Sequence, residues 1–397
     1  MADALDGSMK PLLLRPLVGK ILVVAGEDSG DMYMGRLIGH LSALLEGASF
    51  EGIGGQRMRE AGAVTLYDST ALSSVGLASA MKKMGVFTSA LRDLKSRIAS
   101  GEYDAVILVD YPDFNLRIAK AADKAGLPVF YYVAPQFWAW RRGRVKIASE
   151  CVDMMFVVFP FEEDFYKGRS VNAQFLGHPI LDELDFNVDR SAIRAQLGVR
   201  PNELLLGLVP GSRRGEVERI YPDMLNAVRI IRANKPVKVV TMCADSMDED
   251  YIRKLASTHG EEPQIVKGMT WNAMNACDFL LCKSGTSTLQ ATLAGTPMVV
   301  VYKADAFSYL LARLLSHVKW AAIPNLLAGR EIVPELLQWK ATPQAVAATA
   351  LAYLTDPAKR EEMKKELGKL RAGLGERGAS HRAAVSITEF LTKLKRG

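Results

Sequence analysis

The sequence predicts an α/β protein built from two doubly wound parallel-sheet domains, on three observations. Short apolar runs alternate with amphipathic stretches along most of the chain. Its 397 residues exceed what one ordinary core holds, so two domains are expected. The alternation also restarts after a polar stretch at Asp182–Arg190, which places the boundary near residue 186.

The first strand is Lys20–Ala25, which runs into Gly26-Glu-Asp-Ser-Gly-Asp31 and a helix over Met32–Leu45. Ala105–Val109 is an unbroken apolar run, the mark of a strand buried on both faces. It ends at Asp110-Tyr-Pro-Asp-Phe-Asn115, ahead of a helix near Leu116–Ala125. Pro128–Val133 and Asp153–Phe159 are further strands. The second series opens with Leu204–Val209, which leads into Pro210-Gly-Ser-Arg-Arg214. Val237–Thr241, Cys277–Leu281 and Met298–Val301 follow. The tail Pro357–Gly397 is charged, with Glu and Lys at i,i+4 spacing, and reads as helical. Domain one is expected over 1–185, completed by helices of about 357–397, and domain two over 186–356. Packing of the tail on another chain is the alternative.

The net charge of +6 points to an anionic partner: phosphate, nucleotide, nucleic acid or an acidic membrane surface. The basic residues are scattered and no aromatic-basic RNA-binding motif is present, so no nucleic-acid partner is expected. Cys151, Cys243, Cys277 and Cys282 form no CxxC pair and read as buried reduced thiols. The five histidines are dispersed, so no metal site is expected. No segment has the length and purity of a membrane span, and Leu12–Leu14 is too short for a signal core. A cytoplasmic protein is expected, with contact to a membrane surface left open.

Several loops have the residue types that chemistry needs. Asp110 lies where a buried parallel strand runs out, the end at which ligands bind in open α/β sheets. Asp113 is either part of that site or the cap of the following helix. The Gly26–Asp31 loop, with Glu27 and Ser29, is a binding loop or a structural turn, and is neither a Walker loop nor a GxGxxG fingerprint. In Pro210–Val217 a strand end, a Gly-Ser turn and two arginines precede a helix, a combination able to neutralise a diphosphate. Solvated surface arginine is the alternative. Lys283–Thr288 is a second phosphate-friendly turn, or a helix capped by Ser284 or Thr286. The two loops together favour a nucleoside diphosphate.

Val75–Phe87 is apolar, Met-rich and interrupted by lysines. It reads as an amphipathic helix over a core. Alternatively it is a lipid-facing surface, with Val75, Leu77, Met81 and Met84 in contact with acyl chains and Lys82 and Lys83 on anionic headgroups. In Gln136–Arg144, Trp138 and Trp140 read as core and the arginines as solvated. His178 is structural or reaches the ligand cleft.

Together these segments resemble the lipid-A-disaccharide synthases. The matches are AGEDSGD (25–31), GIGGQRM (52–58), DYPDFN (110–115), WAWRRGRV (138–145), FPFEEDFY (159–166), GHP (177–179), PGSRRGEV (210–217), SGTSTL (284–289) and PNLLAGREIVPELLQ (324–338). They occur in family order over nearly the whole chain, and the set is very specific. The resemblance implies a GT-B fold, two Rossmann-like domains facing a cleft. It implies an inverting glycosyltransferase that joins UDP-2,3-diacylglucosamine to 2,3-diacylglucosamine 1-phosphate and releases UDP. It further implies action at the inner-membrane surface of a Gram-negative-type bacterium, a homodimer with exchanged C-terminal segments, and no metal or other cofactor.

By the same resemblance Asp110 is the candidate base and Arg213 the diphosphate arginine; the apolar strand beside Asp110 is expected to favour its neutral form. Gly211, Ser212, Ser284, Gly285, Thr286, Gln290, Asn325 and Arg330 fall on the donor side. Glu27, Ser29, Asp31, Asp113, Asn115 and His178 fall on the acceptor side. The chain departs from the pattern at four places. Gln290 stands for a usual Glu, Lys283 is an added cation, Ser79 stands for a common Glu, and Asp28 replaces a Thr or small residue. These departures leave two other readings open. One is a GT-B enzyme with another UDP-sugar donor or acceptor, a UDP-sugar epimerase included. The other is a non-catalytic, membrane-associated nucleotide-binding protein.

Overall fold

The computed structural model describes residues 19–69, 80–139, 142–305 and 318–396. The chain divides into two compact units. The first holds the described residues up to Pro135, Gly143–Asp182 and the stretch from Arg377 onward. The second holds Glu183–Glu376 with the short stretch 136–142.

The first unit is built on a parallel sheet of β1 (Lys20–Ala25), β2 (Ser49–Gly54), β3 (Val64–Asp68), β4 (Ala105–Val109), β5 (Val129–Tyr132), β6 (Met154–Val157) and β7 (Ala173–Phe175). Their order is β3-β2-β1-β4-β5-β6-β7. Every residue of β4 is buried, which is why its sequence is apolar without alternation. The order reverses between β1 and β4, and Ala25 pairs with Val109 there. The loops starting at Gly26 and Asp110 therefore leave the sheet side by side, at its topological switch point. Helix Asp28–Leu44 begins earlier than its apolar periodicity indicates. Asp28 and Asp31 occupy its first turn, where acidic side chains favour the helix dipole.

β2 and β3 escape sequence reading because β2 carries a charge and glycines. Glu51 is buried on Lys20 (2.7 Å) and on the Tyr103 hydroxyl (2.7 Å). A Cβ at Gly52 would lie 2.0 Å from the Val23 carbonyl oxygen, so only glycine lets β2 approach β1.

The second unit repeats the plan with β8 (Leu204–Val209), β9 (Val237–Cys243), β10 (Gln264–Lys267), β11 (Phe279–Lys283), β12 (Met298–Tyr302) and β13 (Glu335–Leu337). The order is β10-β9-β8-β11-β12-β13, with the switch point between β8 and β11, where Val209 pairs with Cys282. All four cysteines are buried and unpaired.

The tail does not behave as one piece. Helix Pro357–Ala372 belongs to the second unit, where Met363 and Leu367 join the core and Arg371 donates to the Leu293 carbonyl (3.3 Å). Only helix Ala379–Arg396 packs on the first unit, along helix Asp28–Leu44. The Asp182 carboxylate accepts from the Gly378 and Ser380 amides, and Arg382 donates to the Leu176 carbonyl (2.7 Å). The charge pattern marked both helices but not the partner of each apolar face. The chain leaves the first unit after Asp182, slightly before the expected boundary. Trp271 draws the next residues away by donating to the Asp185 carbonyl (2.6 Å) and packing on Phe186.

Candidate active site

In the first unit, Asp110 ends β4 half-buried, with its backbone in the left-handed region (φ 44°). Tyr111 (φ 44°) and Val133, at the end of β5 (φ 59°), share that conformation. Each such residue costs about 1–3 kcal/mol and persists only where its surroundings over-determine it. Here they do. The Asp110 carbonyl accepts from Asn115 Nδ2 (2.8 Å) and from the Tyr131 hydroxyl, and the Asp110 amide donates to the Val133 carbonyl (3.3 Å). Asn115 Nδ2 also reaches the Val109 carbonyl (3.0 Å). Burial, then the Asp110 charge, pushes the Tyr131 phenol well above its ordinary range, so it stays a donor. The backbone of Asp110 is thus clamped while its side chain stands at the switch point.

The Tyr111 ring fills the space over Gly26, where a Cβ would come within 2.4 Å of it, and stacks on Phe114. Burial, then the Asp113 and Glu27 charges, raises the Tyr111 phenol above its ordinary range. Glu27 holds the cap position of helix Asp28–Leu44, and Ser29 lies half-buried in its first turn.

Four expected acceptor-side residues make contacts within the protein. Asp113 is not a cap: helix Pro112–Lys124 starts before it, and its exposed carboxylate pairs with Arg144. Asp31 is buried and accepts from the Gly55, Arg57 and Met58 amides (2.6, 2.9 and 3.2 Å), which anchors the start of helix Gln56–Glu60. Asn115 is buried and acts on the main chain of Asp110. His178 is buried between Tyr33 and Phe159, and its Nδ1 accepts from the Ile180 amide (3.1 Å). Burial pushes its pKa down to about 3, so it is a neutral core imidazole. Trp138 is buried as expected. Trp140, Ser79, Val75 and Leu77 lie outside the described residues, as do the side chains of Met81, Lys82, Lys83 and Met84.

In the second unit, the loop after β8 carries Gly211 (φ 114°), exposed Ser212, and Arg213 at the cap position of helix Arg214–Asn234. Facing it, β11 ends at Lys283, followed by Ser284 and Gly285 (φ 130°). Glu216 joins the two loops, 2.9 Å from Lys283 Nζ and 3.9 Å from Arg213. A Cβ on Gly211 would fall in ordinary contact with Glu216 Oε2 (3.4 Å), so it is the positive φ of this turn that calls for glycine.

Helix Thr286–Ala294 starts directly after Gly285, which takes the cap position with no side-chain cap bond. Neither Ser284 nor Thr286 caps it. Ser284 Oγ instead donates to the Ala321 carbonyl (2.7 Å), and Thr286 is exposed. Gln290, half-buried, lies one turn on from Thr286 along the same face. This arrangement of bare amides, a helix start and an arginine is suited to hold a diphosphate.

Two expected donor-side residues make contacts within the second unit. Asn325 is buried. It donates to the Val333 carbonyl (2.8 Å) and Glu335 (2.8 Å), and accepts from the Ile332 (2.7 Å) and Val333 (2.9 Å) amides. Arg330 pairs with Glu366 of helix Pro357–Ala372. Sequence reading also passed over Tyr131 and Glu216. Glu216, three residues past Arg213 in a first helical turn, carried a usable signal; Tyr131, inside an apolar strand, carried only its hydroxyl.

Two doubly wound sheets of this order make the chain a GT-B protein. Solved structures sharing the fold include a putative UDP-N-acetylglucosamine 2-epimerase from Listeria monocytogenes, with a TM-score of 0.65 at 14% identity, covering 94% of this chain and 96% of that one. UDP-GlcNAc 2-epimerase from Neisseria meningitidis gives 0.63 at 14% identity over 93% and 100%. At such identity the likeness is one of fold alone. The chain belongs to the LpxB family, lipid-A-disaccharide synthetase, whose signature matches residues 21–388. It is 40% identical to lipid-A-disaccharide synthase of Syntrophus aciditrophicus, covering 94% of this chain and 98% of that protein. The value is 39% for that of Geobacter metallireducens, over the same shares.

Proposed function

We propose that this chain joins UDP-2,3-diacylglucosamine to 2,3-diacylglucosamine 1-phosphate, with Asp110 as general base and Arg213 on the leaving diphosphate. Family membership makes it a lipid A disaccharide-forming glycosyltransferase. The observation that carries the residue assignment is the clamped, left-handed Asp110 at the first switch point. Asp110 takes the proton of the acceptor 6-hydroxyl as its oxygen attacks the anomeric carbon. The bond from that carbon to the diphosphate breaks, UDP departs, and the product is the β-1',6-linked disaccharide 1-phosphate. Attack opposite the leaving group inverts the anomeric centre. Arg213, the Gly211–Ser212 turn and the amides at Gly285–Thr286 stabilise the charge that develops on the diphosphate. Gln290 stands on the same helix for the nucleoside, as an uncharged partner for ribose hydroxyls. The reading assigns no step to a cofactor or a metal.

Two acyl-bearing substrates favour a peripheral site of action at the cytoplasmic face of the inner membrane. Among the described residues no helix is long and apolar enough to cross a membrane. The homodimer belongs to the same reading. Exchange of C-terminal segments would place the partner's copy of helix Ala379–Arg396 on helix Asp28–Leu44.

The test is acceptor-dependent UDP release in detergent, wild type against Asp110→Asn, with folding followed by circular dichroism. A folded variant is expected to lose about 10²–10⁴ of the rate. A folded variant with near-wild-type turnover removes Asp110 as the base. Absence of acceptor-dependent release by the wild type removes the substrate assignment.

A further inference from the structure

We propose that Lys283 is a second cation for the diphosphate of the nucleotide-sugar donor, aimed by Glu216. The proposal deepens the reading of the second unit as the donor side and rests on it. Lys283 closes β11 at the switch point, across from the loop that carries Arg213. Its side chain is 16% exposed and runs over bare backbone. A Cβ on Gly211 would meet its Cδ at 3.5 Å, and one on Gly285 would meet its Nζ at 3.3 Å. The ammonium therefore sits between the two glycine turns, at the start of helix Thr286–Ala294.

A helix N-terminus repels a cation, so holding an ammonium there needs an anion. In the free protein that anion is Glu216, 2.9 Å away and itself 19% exposed. Yet the same carboxylate also faces Arg213, at 3.9 Å. Lys283, Glu216 and Arg213 thus gather at one helix start. They lie where the bare Gly211 and Gly285 turns let a ligand approach most closely. A diphosphate held there lies within reach of both cations. An ammonium has three donors, so Lys283 can keep Glu216 as its positioning partner and give its remaining N–H groups to phosphate oxygens. Glu216 fixes the direction of Lys283 without touching the donor.

Binding of UDP and of uridine to the full chain, measured by calorimetry for wild type, Arg213→Ala, Lys283→Ala, Lys283→Met and Lys283→Arg, tests this. Lys283→Ala is expected to raise the UDP Kd by about ten- to a hundredfold, the worth of one charge-assisted contact, and to leave the uridine Kd unchanged. Lys283→Arg is expected to recover most of the loss, and in turnover the KM for the donor rises. Lys283→Met keeps the apolar stem, and so separates lost charge from lost packing if the alanine variant unfolds. A folded Lys283 variant that binds UDP like wild type, or that weakens UDP and uridine equally, makes the lysine a structural strut and overturns the proposal. If Arg213→Ala still loses UDP affinity in that case, the donor-side reading stands. No UDP affinity in the wild type overturns both.

Discussion

Replacing His178 by asparagine is expected to flatten the acid sensitivity of the first unit. The buried imidazole has its pKa pushed down to about 3 by loss of solvent, whereas an unfolded histidine titrates near 6.5. Below 6.5 the unfolded chain binds a proton that the folded chain refuses. This stability is therefore present above about pH 6.5 and drains away as pH falls towards 3. The slope is ~1.4 kcal/mol per pH unit, so moving from pH 8 to pH 5 costs the wild type ~2 kcal/mol through this group. Asparagine at 178 keeps an oxygen acceptor for the Ile180 amide and removes the titration. The assay is amide exchange in β1 and β6, which reads the opening free energy of the first unit alone. Subtracting variant from wild type at the two pH values cancels the carboxylates. A difference near zero would show that no neutral imidazole is buried there. Loss of turnover at pH 8 in a folded variant would return His178 to the chemistry.

Asp278→Asn is expected to destabilise the second unit by ~2 kcal/mol at neutral pH, discounted for its partial exposure. Burial works to raise the Asp278 carboxyl, but the Leu205 amide and the Arg194 and Arg190 guanidiniums outweigh it and hold it low. The wild-type advantage therefore exists above the ordinary carboxylate range and fades as pH falls through the lowered pKa, which urea melts between pH 7 and 3 will show. Asn325→Ala breaks four hydrogen bonds of a buried side chain and is expected to cost about 3 kcal/mol or more in denaturant melts, while the folded fraction keeps its UDP Kd. Gly26→Ala puts a methyl into the Tyr111 ring, and is expected to cost about 1–3 kcal/mol in melts and to lower kcat by displacing the residue next to Asp110.

The sheet strands that are buried on both faces were legible because burial writes itself as an apolar run: β1, β4, β8 and β12 all read directly. β2 was hidden by Glu51 and its glycines, β10 by its exposed polar ends Gln264 and Lys267, and β13 by its shortness. Asp110 was legible because a carboxylate at the end of such a run has no core to enter. The protein partners of Asn325, Arg330, Asp31 and His178 are out of reach of the sequence for one reason. A polar residue in a specific motif shows that it needs a partner, not whether that partner is a ligand or another group of the protein. The Lys283–Glu216 pair was out of reach, because two strands and their crossovers separate its members in sequence and only the sheet order brings them together.

The return of the last helix to the first unit sets an order of events during synthesis. Phe130 meets Phe390, Tyr132 meets Ser380, and the long helix after β1 lacks its most extensive helix partner until Ala379–Arg396 arrives. Roughly 200 residues are translated between Asp182 and that helix, on the order of 10–40 s at ordinary elongation rates. For that interval the amino-terminal sheet stands on the ribosome with part of its flank uncovered, while the later unit acquires all six of its strands. The half of the molecule made first is the half finished last, and a chain truncated before Ala379 leaves that flank open to chaperones or to a second copy of the missing helix.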